Sequence, residues 1–174
     1  SSGPVGKLST EGLDAVFEVF ALELGSSTNA QKIKDLFQKS YLDHSNLADA
    51  TRYLANELFS DYGLVILDAD DADLKSVFIP YIKDEIENQT SFKEVTATQE
   101  KLKDYSIQVN PREINLFYIE NNLRERIVFE NDTYKVNHTN ISFSKEKLLQ
   151  LVENHPEQFS PNVVLRPLYQ EVLL

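Results

Sequence analysis

Four aspartates, Asp68, Asp70, Asp71 and Asp73, follow directly on the apolar tetrad Leu64-Val65-Ile66-Leu67. Carboxylates at such close spacing could ligate a hard cation, which takes oxygen ligands. The spacing argues against it. A calcium loop counted from Asp68 puts Asp73 where its turn glycine belongs and Ile79 where its bidentate glutamate belongs, so no metal site is assigned. Asp73 or a neighbour is expected to cap the following helix. Asp68 has a second reading. An unbroken apolar run after Gly63 reads as a strand buried on both faces, and a carboxylate at the C-terminal end of a parallel strand points into the crevice where open α/β sheets bind ligands.

Other chemistries find less support. His44, His138 and His155 are too far apart to make a local ligand pair and read as surface or capping residues. With no cysteine there is no thiolate ligand, thiol nucleophile or disulfide. The five glycines stand at 3, 6, 12, 25 and 63, so no glycine-rich phosphate cradle follows the apolar tetrad. Gly6-Lys7 has the look of a P-loop, but Ser1 and Leu8 stand where that motif needs a glycine and a hydroxyl residue. Arg124 and Arg126 flank Glu125 and read as salt-bridged strand residues.

The elements that must position these groups are those of a folded α/β protein. Its 174 residues, 41% hydrophobic and 26% charged, suffice for a core. A formal charge of −11 opposes binding to nucleic acid, which needs clustered lysine and arginine. No apolar run is long enough to span a bilayer, and the first residues lack a charged segment followed by an apolar one. The expectation is a cytoplasmic protein.

Helical spacing recurs in three early stretches: Leu13 to Leu24, stopped by Gly25; Ile33, Leu36, Phe37 and Tyr41; and Leu47, Ala50, Leu54 and Leu58. After the tetrad, residues 73–88 are helical, with Pro80 kinking or dividing the helix, and 89–103 are helical again. Strands are expected over 114–119, 123–129 and 133–136, with Glu120-Asn121-Asn122 and Asn131-Asp132 as turns, which makes a β-meander. Ser144 caps a helix that ends near His155-Pro156. Ser160-Pro161-Asn162 reads as a turn, Val163 to Leu165 as a buried strand, and Arg166-Pro167 as the start of a final helix. A strand, then polar residues, then a helix start is where α/β folds place ligand contacts. Tyr118 and Tyr169 read as core aromatics with a satisfied hydroxyl. A last helix of two turns, and a Ser1-Ser2-Gly3 start without methionine, suggest a piece of a longer protein.

The stretches NPREINLFYIENNLRERIVFEND and FSPNVVLRPLYQEVLL resemble the bacillithiol biosynthesis cysteine-adding enzymes, also called cysteine ligases. NLADATRYLANELFSDYGLVILDADD is similar to a stretch leading into a core strand of the same family. The resemblance implies a Rossmann-like core, and amide formation between the carboxyl of cysteine and the amine of glucosaminyl malate. It also implies a homodimer paired through a coiled coil. The family's glycine-containing and acidic-histidine motifs, its later glycine-rich segment and the coiled coil are not matched by these 174 residues. The isolated chain is therefore expected to be inert, with catalytic residues unassigned and no cofactor of its own. ATP or another nucleotide would activate the carboxylate in the whole enzyme. The matched motif nominates Asn162, Arg166, Gln170 and Glu171 as substrate-binding residues, and the strand-end position adds Asp68 to them. Arg166 is the best candidate to grip a malate or cysteine carboxylate through two parallel hydrogen bonds. An Arg166–Glu171 ion pair and a turn-capping Asn162 are the structural alternatives.

Residues 1–60 are accordingly read as a helical inserted segment, and 61–174 as a partial Rossmann-like α/β core with the meander. The competing function is an acidic, non-catalytic module that binds a protein partner through its helical face.

Overall fold

The computed structural model describes residues 4–174; the Ser1-Ser2-Gly3 start lies outside them. They divide into two compact units, one ending at Asp68 and one running from Ala69 to Leu174.

The first unit is helical. Helix α1 (Leu13–Leu24) ends on Gly25, whose φ of 71° only a residue without Cβ adopts readily. Helix α2 (Thr28–Phe37) starts on Ser27, which accepts from the Ala30 N–H, and runs into a π-helical turn at Gln38–Leu42. Helix α3 (Leu47–Phe59) starts on Asn46, whose side chain accepts from the Asp49 N–H. The helical spacing brings aromatic rings together: Phe37 lies 5.5 Å from Phe17, 5.0 Å from Phe20 and 5.1 Å from Tyr41. On the other side of α1, Val16, Val19 and Leu22 are exposed.

The tetrad Leu64–Leu67 departs from expectation. It forms no strand, and Leu64, Val65 and Leu67 are 48%, 80% and 52% exposed. A strand needs a partner for its backbone donors and acceptors, and no described segment pairs with this one.

The second unit opens with α4 (Ala72–Val77), capped by Asp71, which accepts from the N–H groups of Asp73 and Leu74. The expected cap is therefore made by the neighbour of Asp73. Phe78 breaks the helix, and α5 (Ile79–Asn88) resumes with Pro80 in its first turn, where a missing N–H costs nothing. Helix α6 (Thr90–Lys101) follows. Strands β1 (Leu116–Glu120), β2 (Leu123–Glu130), β3 (Thr133–Val136), β4 (Ser142–Phe143) and β5 (Phe159–Pro161) form one antiparallel sheet in the order β4-β3-β2-β1-β5. The meander turns are where the sequence places them, with Asn121, Asn131 and Asp132 at positive φ.

Ser144 caps α7 (Lys145–Asn154). Alternation sends Leu116, Tyr118, Ile127, Tyr134, Val136 and Phe159 to one sheet face, against Ile82 and Ile86 of α5 and Leu148 and Val152 of α7. Each such side chain contributes about 1.5–3 kcal/mol when fully buried. Val163 to Leu165 is a turn and not the expected strand; the strand is β5, just before it. The final helix, α8 (Arg166–Leu173), buries Tyr169 against Phe78, ring centres 4.9 Å apart.

Candidate functional site

Glu85 is the central buried carboxylate of the second unit, 1% exposed. Its Oε1 accepts from the Asn115 N–H at 2.8 Å, Asn115 Nδ2 at 2.9 Å and Ser91 Oγ at 2.7 Å, and its Oε2 from the Ser91 N–H at 3.3 Å. Four donors replace the water a buried anion loses. Asn115 passes the connection on, since its Oδ1 accepts from Asn162 Nδ2 at 2.8 Å. Asn162 Oδ1 then accepts from the N–H groups of Val164 and Leu165, at 2.8 and 3.3 Å. Its own carbonyl accepts from the Arg166 N–H at 2.9 Å. The first residue of α8 is thus tied to α5 by a chain of polar contacts. Nothing local in the sequence announces it, because the partners are 30 and 47 residues apart.

The turn at Asn162 does not fit a nucleotide pyrophosphate. The two N–H groups that would face one, those of Val164 and Leu165, are already taken by Asn162.

Beside this turn lies a depression of about 170 Å³, lined by Asp70, Lys75, Ser160, Arg166, Tyr169 and Gln170 among others. Lys75 is 2% exposed and donates from Nζ to Asp70 Oδ1 at 2.7 Å and to the Glu157 carbonyl at 3.2 Å. Tyr169 donates from its hydroxyl to the Ala69 carbonyl at 3.0 Å. Arg166 and Gln170, one turn apart on α8, are exposed along the rim.

Of the residues nominated from sequence, Arg166 and Gln170 share this depression. Asn162 is buried, both its side-chain groups engaged with the protein. Glu171 is exposed, and among the described residues no ion pair joins it to Arg166. Asp68 belongs to the first unit, where Arg52 donates to it at 2.9 Å and to Asp49 at 2.8 Å. Asp70 and Lys75 were not nominated as a pair; both lie in or beside the acidic run.

The histidines serve separate local contacts: His44 with the carbonyls of Lys39 and Ser40, His138 with Glu125, His155 with Glu157. Arg124 and Arg126 form none of the ion pairs among the described residues, contrary to expectation. They stack on Phe117, the guanidinium carbons 3.8 and 5.7 Å from its ring centre. Arg124 is pulled below the ordinary guanidinium range, first by burial and then by the charge of Arg166, with Asp70 opposing.

The family model for the N-terminal Rossmann-like domain of the bacillithiol biosynthesis protein BshC matches residues 1–174. The chain belongs to this family. A protein of Flavobacterium johnsoniae, named "Putative cysteine ligase BshC", is 67% identical over all of the chain and 33% of its own length. Proteins of the same name from Christiangramia forsetii and Staphylococcus saprophyticus are 52% and 28% identical, over 98% and 92% of the chain and 32% and 31% of their own lengths. The chain therefore spans about a third of the length of the curated relatives it matches. The Rossmann-like description and the mixed helix-and-sheet architecture agree with the fold class expected from sequence, while every strand pairing in the described residues is antiparallel. Among those residues no helix is long and apolar enough to cross a membrane.

Proposed function

We propose that the chain is part of a cysteine ligase of bacillithiol biosynthesis that joins the carboxyl of cysteine to the amine of glucosaminyl malate, and that these 174 residues alone do not turn over. The observation that carries this reading is the family match along the whole chain, with relatives named for cysteine ligation.

The reaction forms a C–N bond as the amine attacks the cysteine carboxyl carbon, and one carboxyl oxygen departs with the two protons that the reacting groups give up, a net loss of water. A free carboxylate is a poor electrophile, and ATP or another nucleotide bound by the whole enzyme would supply its activation. This chain's residues supply binding. Arg166 stands at the mouth of the depression with a planar fork suited to a carboxylate, and Gln170 adds an amide one turn along. The whole enzyme works in the cytoplasm as a homodimer on this reading. Asp68 and Glu171 remain candidates for substrate contact there.

The test is a protein as long as the relatives. It should join cysteine to glucosaminyl malate, and Arg166→Ala should weaken glucosaminyl malate binding about tenfold or more, the loss of a charge-assisted pair. Turnover by the 174-residue chain, or failure of the longer protein to bind either substrate, overturns the reading. The exposed α1 stripe of Val16, Val19 and Leu22 favours the second reading, an acidic module for a protein partner. That reading prevails if the longer protein binds no substrate and α1 captures a partner.

A further inference from the structure

The ladder between β1 and β2 stops early. It ends at Phe117 opposite Arg126, while β2 runs on to Glu130, paired over that stretch with β3 alone. Successive residues of a strand turn their N–H and C=O groups to opposite edges. The Asn137 N–H donates to the Arg126 carbonyl at 2.8 Å, on the β3 edge, so three residues on the groups of Phe129 face the edge that β1 has left. Among the described residues no strand, loop or side chain answers them. β1 does not follow β2 further because the residue before Leu116 is Asn115, whose N–H and side chain are held by Glu85.

The gap is a depression of about 360 Å³. All five residues from Arg126 to Glu130 line it, with Arg112, Glu113 and Ile114 on the far wall and Asn137 beside Arg126. Consecutive side chains of a strand point to opposite faces, so one depression reaches all five only along the strand's edge. β1 closes one end of the gap. At that end stands Arg126, opposite Phe117 in the ladder, its guanidinium carbon 5.7 Å from the ring centre. The backbone of Arg112 is fixed by Asn115, with its N–H on Oδ1 at 3.1 Å and Nδ2 on its carbonyl at 2.6 Å. Neither arginine takes part in an ion pair among the described residues. Of the carboxylates in the gap, Glu130 is held by Lys135 at 3.1 Å, which leaves Glu113 against two arginines.

An open strand edge takes an extended chain as an added strand. Because β1 blocks one end, that chain has to stop there. Charge decides which of its ends does so: an amino terminus would bring an ammonium to two guanidiniums, whereas a carboxyl terminus brings the group they bind.

We propose that this gap binds the carboxy-terminal end of a partner protein, laid against Phe129 as a short strand antiparallel to β2, with Arg112 and Arg126 on its terminal carboxylate. Ile114, Val128 and Phe129 in the lining suit apolar last residues. The site goes beyond the ligase reading and does not depend on it.

The test uses the 174-residue chain and the peptide acetyl-Val-Thr-Val-Leu in three forms: the free acid, the carboxy-terminal amide, and the acid with its backbone amides N-methylated. Calorimetry should show the acid binding about tenfold or more tighter than the amide. In a chain of net charge −11 the overall field opposes a carboxylate, so that preference reports the local arginines. Arg112→Gln and Arg126→Gln should each narrow it and the double variant erase it; both positions are exposed, so substitution leaves the fold in place. N-methylation, which removes the donors of an added strand and keeps the carboxylate, should abolish binding. No binding of the acid, equal binding of acid and amide, or a wild-type preference in the double variant overturns the proposal. So does full affinity of the N-methylated peptide, which would place the carboxylate on the arginines without a strand.

Discussion

Glu85 and Asn115 meet through one carboxylate oxygen, which accepts both the backbone N–H and the side-chain Nδ2 of Asn115, at 2.8 and 2.9 Å. A single buried acceptor thereby holds the entry to β1 against α5, with Ser91 on the same carboxylate. Glu85→Gln keeps the shape and presents an amide N–H₂ toward a donor. At least one buried donor then loses its acceptor, at about 1–3 kcal/mol. Urea unfolding should show that loss, with Glu85→Ala costing more. Unchanged stability in both variants would mean that the network contributes nothing.

Asn162 and Arg166 separate scaffold from ligand contact. Asn162→Ala removes the acceptor of the Val164 and Leu165 N–H groups and the donor to Asn115, and should destabilise the protein by about 2 kcal/mol. Arg166→Ala, at an exposed position without an ion pair, should change stability by no more than about 0.5 kcal/mol. Thermal melts of the two variants side by side make the comparison, and a larger cost for Arg166→Ala would give it a structural role.

The pair Lys75–Asp70 is asymmetric, 3% and 44% exposed, so its two halves should respond differently. Lys75→Met removes a buried charge at similar volume and leaves Asp70 in reach of water, so stability should hold or rise. Asp70→Ala strands the ammonium with only the Glu157 carbonyl at 3.2 Å and should cost about 2 kcal/mol, below the range for fully buried pairs because water reaches one side. Equal losses in the two variants would contradict this account.

Two carboxylates set an acid-side expectation. Asp84 lies below its ordinary value of 3.8, chiefly through the Asn88 side chain, and Glu146 below 4.5, through its own backbone N–H and then Ser144. A pKa depressed in the folded state gives stability that is complete above the ordinary value and disappears as the pH falls through the depressed one. Between about pH 6 and about pH 3 the wild type should therefore lose more stability than Asp84→Asn, by a small margin since Asp84 is only partly buried and water screens it. Parallel urea midpoints at the two pH values decide it.

Local signals were readable wherever one segment settles its own conformation. The Ser144 cap, the break near Pro80 and the asparagine turns of the meander depend on residues a few positions apart, and the structure has them all. Long-range pairing was not readable. Val163 to Leu165 has strand composition, yet Asn162 folds the backbone into a turn by accepting two of its N–H groups. The Glu85–Asn115–Asn162 chain joins segments far apart in sequence, so spacing reveals none of it. Arg124 and Arg126 looked like members of an alternating-charge strand; what the sequence could not reveal is that Phe117, across the ladder, takes both guanidiniums.

Leu64 to Leu67 is the sharpest case, and it yields the last prediction. Its apolar run carries strand composition, but strand formation depends on a partner, and the described residues supply none. An exposed apolar stretch with unpaired backbone invites pairing with another copy. Val65, 80% exposed, is the position to change. Val65→Lys puts a charge on the stretch without disturbing a buried contact, so stability should move by no more than about 0.5 kcal/mol. Sedimentation velocity over a range of concentrations should show the 174-residue chain self-associating and Val65→Lys doing so less. If both remain monomeric throughout, the stretch is not adhesive, and its composition serves some purpose other than pairing.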